Sequence, residues 1–586
     1  MKIRCAEAFI RTLEKESIKY VFGVPGHGNM HILDALYERN KIKFMLTRHE
    51  QAAAHIADGY ARIRREIGVC TSSVGPGATN MITGIAAAAA GSSPILAVSG
   101  GIIAGMYGKG QLQATERPEN KMDQSFIQML QPLIKKGWQV EHPETICDIT
   151  RQAIILAKSG RPGPVAIEIP WDVQSEEVDI DIPDVDRFRR SSRIRPDVES
   201  LKKAAVKIAQ AKFPLIIAGY GTVLSEADSE VKELAELLGA PVATSFMSKG
   251  VIPEDHELSV GILGWLGHPV AHELVREYAD YILAVGYRFS DEATSFWTEG
   301  LPFVRENRFI QIDILPQELG RNYPIEVGLQ GDAKATLIDL ISILRSQFNV
   351  VPSERNIKLV KKMKSSFSFD VPTKDGTPME PIKIVEEMRK VLPRNSIVLP
   401  DTGAHTRYFA TCYPSYGSHR LLCPGSWACM GWSPTAVIGA KLAEPDTPCI
   451  SATGDGGFLM TIQEIITAAE WKVPVVWMVF NNSSLAAIRE GQIADYGGHV
   501  IGTEFGLQPD FSKIARAFLA EGVRVSKVSE IAEAMEFALN CGKPCVIDML
   551  VELDPMPVPC AGDFLTPGRH IPRPIRRGEK TIIATD

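Results

Sequence analysis

The stretch that decides the fold is residues 454–484, GDGGFLMTIQEIITAAEWKVPVVWMVFNNSS. It predicts one βαβ unit, because an apolar strand at 448–453 leads into GDGG, an amphipathic helix follows, and a second apolar strand covers 475–480. Since the carboxyl ends of parallel strands meet at one edge of a sheet, we expect Asp455 and Asn482 to emerge side by side. A carboxylate, an amide and a backbone carbonyl suit Mg²⁺, and paired glycines let phosphates approach the backbone. The alternative is an ordinary α/β protein in which the two residues form only a turn and a cap.

The same stretch resembles the diphosphate-binding motif of thiamine-diphosphate (ThDP) enzymes, in which GDG is followed downstream by NN. This resemblance, and not the spacing alone, identifies the cofactor. It implies that Mg²⁺ is bound by Asp455, Asn482 and the carbonyl of Ser484. It also implies that ThDP contacts a larger set of residues around this motif, namely Gly454, Asp455, Gly456, Gly457, Asn482, Ser484 and Leu485.

Composition describes a globular protein and argues against nucleic-acid binding. The chain has 586 residues, of which 45% are hydrophobic, and its net charge is −7. Acidic and basic residues are interspersed, without the basic clustering that is typical of nucleic-acid binding. The first residues lack the apolar core of a signal peptide, and the most apolar stretch, 82–98, is interrupted by glycine, serine and proline. The ten cysteines form no C-x-x-C pair, which favours reduced thiols. We therefore expect a cytoplasmic protein that binds neither nucleic acid nor membrane.

Helix and strand patterns alternate along the chain and predict the fold class, α/β with three doubly wound parallel-sheet domains. We place the domains at residues 1–175, 190–350 and 375–550, with linkers at 178–196 and 358–377. The resemblance to ThDP enzymes implies that they are, in this order, the pyrimidine-binding, the middle Rossmann-like and the diphosphate-binding domain. The remaining residues, 551–586, form a proline-rich, basic tail that is either a lid over the site or a solvated end.

Glu50 is the candidate proton-transfer residue of the first domain. It follows a strand and lies among apolar and small residues, where partial desolvation would raise its pKa and suit it to proton exchange. The alternative is a glutamate that the helix dipole favours. The segment 47–62, TRHEQAAAHIADGYAR, resembles the acetolactate synthase segment whose glutamate bonds N1′ of the ThDP pyrimidine, and this implies the same role for Glu50. The loop 74–80, VGPGATN, resembles a cofactor-contacting loop of that family, which implies contacts from Thr79 and Asn80.

Two loops depart from the acetolactate synthase pattern. Where that family has Gly-Gly after the proline, this chain has GHGN at 26–29, and the imidazole of His27 would project toward the reacting carbons. GHGN resembles the corresponding loop of ThDP-dependent hydrolases that open cyclic 1,2-diketones, whereas a loop or capping role is the alternative for His27. In the second loop, at 121–128, Lys121 and Met122 take the places of the family's Phe-Gln, and Gln124 is the nearest candidate to reach the substrate.

The middle domain carries three motifs in order: LGWLGH at 263–268, GYRFSD at 286–291 and IQIDI at 310–314. Together they resemble the middle domain of acetolactate synthase, which carries FAD without using it for redox chemistry in that reaction. Arg288 and Asp313 are the positions where we expect ligand contacts. ADP instead of FAD, or a Rossmann-like domain without a ligand, are the alternatives.

The third domain contributes two further segments, DTGAH at 401–405 and PGSWACMG at 424–431. Among small residues, a methionine such as Met430 usually fills the core. By resemblance, however, Met430 holds ThDP in its V shape and Ala428 offers its carbonyl to the 4′-amino group, an arrangement that brings the amine close to the reacting carbon. Three residues of the first segment are further candidate cofactor contacts: Asp401, Gly403 and His405.

Residues 485–492, LAAIREGQ, align with the substrate helix of acetolactate synthase. ThDP decarboxylases of the pyruvate type have a glutamate at the position of Ile488 to deliver a proton. An aliphatic side chain there would leave the reactive carbon free to attack a second carbonyl. Acetolactate synthases have a tryptophan at the position of Gly491, so this chain leaves room for a larger acceptor.

These features predict a ThDP- and Mg²⁺-dependent carboligase or lyase that makes or breaks a C–C bond next to a carbonyl in a small 2-keto or 2-hydroxy acyl substrate. The catalytic candidates are Glu50, His27, Gln124 and Ile488. The alternatives are a hydrolase of a cyclic 1,2-diketone, favoured by His27, a 2-hydroxyacyl-CoA lyase, suggested by Gly491, and a non-catalytic homologue. The resemblance also implies at least a homodimer, and we expect a homotetramer.

Overall fold

The fold was analysed on a computed structural model that describes residues 2–114, 126–182, 184, 185, 188, 192–298, 300, 302–304, 306–367 and 377–555. Three parallel sheets follow one another along these residues, which confirms the predicted α/β class with three doubly wound sheets. The exact domain boundaries remain predictions. Within the part of the chain that the structure describes, no helix is both long enough and apolar enough to cross a membrane.

The amino-terminal sheet has six parallel strands in the order β3-β2-β4-β5-β7-β6, and a separate antiparallel pair joins β1 to β8. Its strands are β1 (Lys2–Arg4), β2 (Tyr20–Gly23), β3 (Lys43–Leu46), β4 (Gly68–Ser72), β5 (Ile95–Gly101), β6 (Gly137–Gln139), β7 (Val165–Pro170) and β8 (Glu177–Asp179). Its helices are α1 (Cys5–Lys15), α2 (Met30–Arg39), α3 (Glu50–Arg64), α4 (Pro76–Asn80), α5 (Ile82–Ala90), α6 (Phe126–Leu130), α7 (Ile146–Lys158) and α8 (Trp171–Ser175).

The middle sheet has six parallel strands in the order β11-β10-β9-β12-β13-β14. Its strands are β9 (Pro214–Ala218), β10 (Val242–Thr244), β11 (Ser259–Ile262), β12 (Tyr281–Val285), β13 (Arg308–Asp313) and β14 (Ile325–Gln330). Its helices are α9 (Val198–Gln210), α10 (Tyr220–Leu224), α11 (Asp228–Leu238), α12 (Pro269–Glu273), α13 (Ala333–Phe348) and α14 (Glu354–Ser366).

The carboxyl-terminal sheet has five parallel strands in the order β15-β16-β17-β19-β18. Its strands are β15 (Ile397–Pro400), β16 (Cys449–Gly454), β17 (Val476–Asn481), β18 (Glu521–Val525) and β19 (Cys545–Leu550). Its helices are α15 (Pro381–Val391), α16 (Thr406–Thr411), α17 (Trp432–Ala443), α18 (Asp455–Thr461), α19 (Glu464–Glu470), α20 (Ala486–Asp495), α21 (Phe511–Ala517) and α22 (Ile531–Asn540).

Two sequence expectations need correction. The single helix expected after GDGG is divided into α18 and α19, because the chain turns so that Glu464, the first residue of α19, accepts a hydrogen bond of 2.9 Å from the backbone N of Arg48. The linker expected at 358–377 begins as helix, since α14 extends to Ser366. Ser353 caps the start of α14, and Val360 is fully buried against the middle core, so this basic segment has an apolar face that the charge pattern conceals.

The outer two parts of the chain share one hydrophobic core, built where α3 crosses α17. The helices touch backbone to backbone, since a Cβ added to Gly59 would lie 2.2 Å from the carbonyl oxygen of Ala436. A buried ion pair stands beside this crossing. Arg62 Nε lies 2.8 Å from Asp58 Oδ1, Arg62 Nη1 donates to the carbonyl of Cys423 at 2.7 Å, and Trp432 Nε1 donates to Asp58 Oδ2 at 2.8 Å. We call this cluster of four residues the Arg62 joint.

Candidate active site

Asp455 and Asn482 lie side by side at the carboxyl edge of the third sheet. Strands β16 and β17 are adjacent and parallel, with Gly454 opposite Phe480, so both chains leave the sheet at the same level. Asp455 Oδ2 accepts hydrogen bonds from the backbone N of Ser483 at 2.7 Å and of Asn482 at 3.2 Å. The structure therefore joins the two ends of the motif through the Asp455 carboxylate.

The Asp455 carboxyl is almost fully buried, with 1% of the residue exposed. Burial raises its pKa to about 6, although hydrogen bonds from the backbone of Gly456 and Ser483 and from the side chain of Gln508 lower it. A desolvated carboxylate gains stability from a nearby cation. The electrostatics of this position thus fit a metal ligand.

The tandem asparagines have different environments. Asn481 ends β17, and its Nδ2 donates to Asp548 Oδ1 at 2.8 Å inside the sheet. Asn482 instead lines a pocket together with Asp455 and Ser484. Ser483, between Asn482 and Ser484, has a φ of 57°, a left-handed conformation that makes the turn possible. Asn482 is therefore the member of the pair that faces the pocket.

The pocket brings together most of the predicted cofactor contacts of the third domain. Met430 and Leu485 meet over Gly456, where an added Cβ would lie 2.7 Å from Leu485 Cδ2 and 3.4 Å from Met430 Cε. A side chain at 456 would thus displace Leu485 from the pocket. The other predicted residues that line the pocket are Gly403, His405, Gly454, Gly457, Asn482, Ser484 and Ile488.

His405 is a neutral, buried member of this pocket. Its Nε2 lies 3.1 Å from the carbonyl oxygen of Ala452, and its ring stacks on Phe480 with centroids 5.4 Å apart. Burial lowers the pKa of His405 to about 4. The imidazole can therefore donate one hydrogen bond to Ala452 without carrying charge at neutral pH.

Asp401 holds the end of the loop at 424–431 through hydrogen bonds. This carboxylate is fully buried and accepts hydrogen bonds from the backbone N of Gly431 at 2.7 Å and of Ser433 at 3.1 Å. Asp401 does not line the pocket among the described residues, so its contribution runs through the loop that carries Met430. Ala428 is exposed and has a φ of 49°, which turns the loop just before Met430.

Glu50 belongs to a second cluster, at the carboxyl edge of the first sheet. It begins α3, is half-buried, and its Oε2 accepts a hydrogen bond of 2.9 Å from Asn80 Nδ2. A Cβ added to Gly77 would lie 3.1 Å from Glu50 Oε1, so the loop after β4 packs directly on the carboxylate. Thr79 Oγ1 bonds within its own turn, to the carbonyl of Pro76 at 3.0 Å.

The GHGN loop adjoins this cluster. Gly28 N donates to Ser73 Oγ at 3.2 Å, and Gln174 Nε2 donates to the carbonyl of Gly28 at 2.7 Å. These contacts fix a short 3₁₀ helix, His27–Asn29, on which the His27 side chain is exposed. His27 is therefore presented at the same sheet edge as Glu50.

Within one chain the two clusters form separate sites. The described residues that line the Asp455 pocket all lie between 381 and 555, and neither Glu50 nor His27 is among them. Gln124 and the greater part of the tail lie outside the described residues. Sequence reasoning missed Gln508, whose Nε2 donates to Asp455 Oδ2 at 2.7 Å, because nothing in its local sequence marks it.

A cavity of about 1320 Å³ lies at the carboxyl edge of the middle sheet, where the Arg288 and Asp313 positions meet the turn at 219–221. Arg161 reaches into it from the first part of the chain. Burial, followed by the neighbouring Arg288, lowers the pKa of Arg161 to about 10, and burial raises the pKa of Asp313. Ser426, from the loop that carries Met430, also lines this cavity.

Comparisons with known proteins agree with this geometry. Three family models match in order: "Thiamine pyrophosphate enzyme, N-terminal TPP binding domain" over residues 3–124, "central domain" over 201–340 and "C-terminal TPP binding domain" over 401–549. The matches place the protein in the class of ThDP enzymes.

Curated relatives narrow the family further. A probable acetolactate synthase large subunit of Methanocaldococcus jannaschii is 36% identical, covering 97% of this chain and 95% of its own length. One from Methanococcus aeolicus is 36% identical over 93% and 92%, and the acetolactate synthase large subunit of Corynebacterium glutamicum is 32% identical over 94% and 87%. The chain therefore belongs to the family of acetolactate synthase large subunits. It is a ThDP-dependent carboligase of this type, and the comparisons do not favour the hydrolase, acyl-CoA lyase and non-catalytic alternatives.

Proposed function

We propose that the protein decarboxylates a 2-keto acid such as pyruvate and joins the remaining acyl carbons to a second carbonyl, with ThDP and Mg²⁺ bound at the Asp455 pocket. The observation that carries the proposal is the hydrogen-bonded junction of Asp455 with the backbone of Asn482 and Ser483. These hydrogen bonds bring the Asp455 carboxylate, the Asn482 side-chain amide and the turn at Ser483 together beside the glycines of α18. When bound, ThDP supplies an electron sink for making and breaking C–C bonds.

Three oxygen atoms would hold the cation: the carboxylate of Asp455, the side-chain amide oxygen of Asn482 and the carbonyl of Ser484. This all-oxygen set fits Mg²⁺, which binds proteins through few ligands and completes its shell with phosphate oxygens and water. The buried Asp455 carboxylate, with its raised pKa of about 6, supports the fit because a cation offsets its desolvation. His405 and Met430 would shape the rest of the cofactor site.

Two features of α20 support carboligation over simple decarboxylation. Ile488 is 60% exposed and lines the pocket, so an aliphatic group stands where a proton donor would end the reaction. Glu490, two residues further along α20, also lines the pocket, but its carboxylate forms an ion pair with Arg407. A Cβ added to Gly491 meets no atom within 4 Å, which supports an acceptor larger than pyruvate.

We further propose that a second copy of the chain completes the site. Glu50, which would exchange a proton with the cofactor pyrimidine, lies outside the Asp455 pocket of its own chain. Loops 26–29 and 74–80 would accompany Glu50 to the partner's pocket, and His27 would then face the substrate. A homodimer is the minimum assembly of this kind, and a homotetramer is the expected one.

For the middle cavity we propose FAD, with ADP as the second candidate. Its volume of about 1320 Å³ exceeds the range of roughly 300–1,000 Å³ for ordinary small-ligand pockets, as a dinucleotide requires. Arg161 and Arg288 approach each other in this partly desolvated cavity, and a diphosphate would neutralise both. A yellow protein with a flavin absorption band would support FAD, whereas a colourless protein that releases ADP on denaturation would support ADP.

The test of the proposed reaction is a substrate screen. Purified protein with ThDP and Mg²⁺ is incubated with pyruvate alone, with pyruvate plus a longer 2-keto acid or an aldehyde, and with cyclohexane-1,2-dione, and products are identified by mass spectrometry. We expect carbon dioxide and a 2-hydroxy-2-acyl acid when the acceptor is a 2-keto acid, and carbon dioxide and an α-hydroxy ketone when the acceptor is an aldehyde. Ring opening of the dione without any reaction of pyruvate would contradict the proposal.

A further inference from the structure

The side-chain oxygen of Gln508, Oε1, takes no part in the hydrogen bonds around Asp455. Its Nε2 donates to Asp455 Oδ2 at 2.7 Å, while its Oε1 is buried and has no hydrogen-bond partner among the described residues. A buried acceptor without a partner destabilises a fold, so such an atom beside a candidate cation site points to a ligand atom.

The position of Gln508 is built into the turn that carries Asn482. Phe505 N donates to the carbonyl of Ser483 at 2.8 Å, and Leu485 N donates to the carbonyl of Thr503 at 2.7 Å. These bonds tie the segment before Gln508 to the turn as a short ladder, with Ser484 opposite Glu504. The segment that leads into Gln508 is therefore held against the turn that carries Asn482.

We propose that Gln508 is a positioning residue for the cation site: its N–H fixes the Asp455 carboxylate, and its Oε1 accepts a hydrogen bond from a water molecule bound to Mg²⁺. Mg²⁺ keeps several of its waters in proteins, and such waters donate hydrogen bonds to neighbouring acceptors. Groups that orient a metal ligand in this way change metal affinity when they are removed. The inference deepens the proposed function and rests on it.

A purely structural role is the competing explanation, since Gln508 also anchors its loop. Gln492 offers a matched control for that role. Its side chain fastens the same loop, with Nε2 donating to the carbonyl of Ile501 at 3.0 Å and Oε1 accepting from Ile501 N at 3.1 Å. The hydrogen bonds found for the Asp455 side chain within the described residues do not include Gln492. Loss of either glutamine loosens the loop, whereas loss of Gln508 alone alters the surroundings of the carboxylate.

The experiment measures ThDP binding by calorimetry in the full-length protein as a function of Mg²⁺, for wild type, Gln508→Met and Gln492→Met. Methionine keeps the side-chain volume and removes both hydrogen bonds. We expect Gln508→Met to raise the Mg²⁺ concentration at half-binding by about 10- to 100-fold, with ThDP affinity returning close to wild type at saturating Mg²⁺. Gln492→Met should leave that midpoint unchanged.

Saturating Mg²⁺ guards against a folding defect, because a variant that folds but has a weakened cation site recovers its ThDP affinity there. Failure of Gln508→Met to recover at saturating Mg²⁺ would contradict the positioning role. An unchanged midpoint in Gln508→Met, or equal shifts in both methionine variants, would overturn the positioning role. Binding of ThDP to wild type without any divalent cation would instead refute the proposed Mg²⁺ site itself.

Discussion

Asn80 Nδ2 donates a hydrogen bond of 2.9 Å to Oε2 of Glu50, so the loop after β4 holds the carboxylate at the start of α3. If Glu50 promotes ionisation of the cofactor, Glu50→Gln should slow hydrogen–deuterium exchange at the reactive carbon of bound ThDP by about 10²- to 10⁴-fold. Asn80→Ala removes one hydrogen bond to a charged group and should slow the exchange by roughly tenfold or more. NMR of the quenched cofactor measures both rates. Unchanged exchange in Glu50→Gln would remove its assigned role.

Separation of Glu50 from the Asp455 pocket predicts complementation between inactive variants. Glu50→Gln and Asp455→Ala should each abolish activity alone. After subunit exchange, about half of the dimers would combine the two variants, and one of the two sites in each such dimer would be intact. Mixed protein should therefore recover about a quarter of wild-type activity. Lack of recovery despite proven subunit exchange would place both residues in a site within one chain.

Open space at Gly491 predicts a change in acceptor preference. A Cβ built at position 491 meets no atom within 4 Å outside its own helix, so a tryptophan there should not unfold the protein. Its side chain should narrow the pocket. We expect Gly491→Trp to favour pyruvate over a longer 2-keto acid as acceptor by about tenfold or more in competition, read from the product ratio. Gly506→Trp, which also has open space around its Cβ but lies outside α20, is the control.

Buried histidines predict a loss of stability in mild acid. Burial lowers the pKa of His55 from 6.5 to about 4, while Asp58 raises it and Arg62 lowers it further. Its contribution to stability is therefore fully present above pH 6.5 and is lost as the pH falls toward 4, because the unfolded chain then binds protons that the folded chain excludes. For His55 alone the loss amounts to about 3 kcal/mol.

Thermal unfolding followed by calorimetry from pH 8 to pH 4.5 measures this effect. The midpoint should fall once the pH passes below about 6.5. His55→Gln should show a shallower fall, and the exposed His499→Gln should follow wild type. Equal slopes in all three proteins would show that His55 does not carry the acid sensitivity.

Most of the fold could be predicted from the sequence because its periodic signals are local. The strands predicted at 448–453 and 475–480 from their apolar patterns are found, within one residue, as β16 and β17. The break between α18 and α19 could not be predicted, since Glu464 bonds a residue more than four hundred positions away. The helical start of the second linker was hidden by its lysines, which cover the exposed face of α14.

The part of the candidate site that lies at the ends of neighbouring strands could be predicted from the sequence. Asp455 and Asn482 follow neighbouring strands, so their meeting follows from topology. The different environments of Asn481 and Asn482 depend on Asp548, and the contact of Gln508 with Asp455 spans 53 residues. Neither leaves a mark in the local sequence. Family resemblance supplied the roles of Glu50 and Met430, for which periodicity alone gave only a helix start and a core methionine.

The Arg62 joint has a practical consequence for dissecting the protein. A fragment that ends between the first two sheets would keep Asp58 and Arg62 but lose the Cys423 carbonyl and the Trp432 indole that complete their hydrogen bonds. It would also present the face of α3 that packs on α17 to water. The uncovered apolar face of α3 would promote association, so such fragments should aggregate instead of folding. Chimaeras with relatives should therefore exchange the two outer domains together.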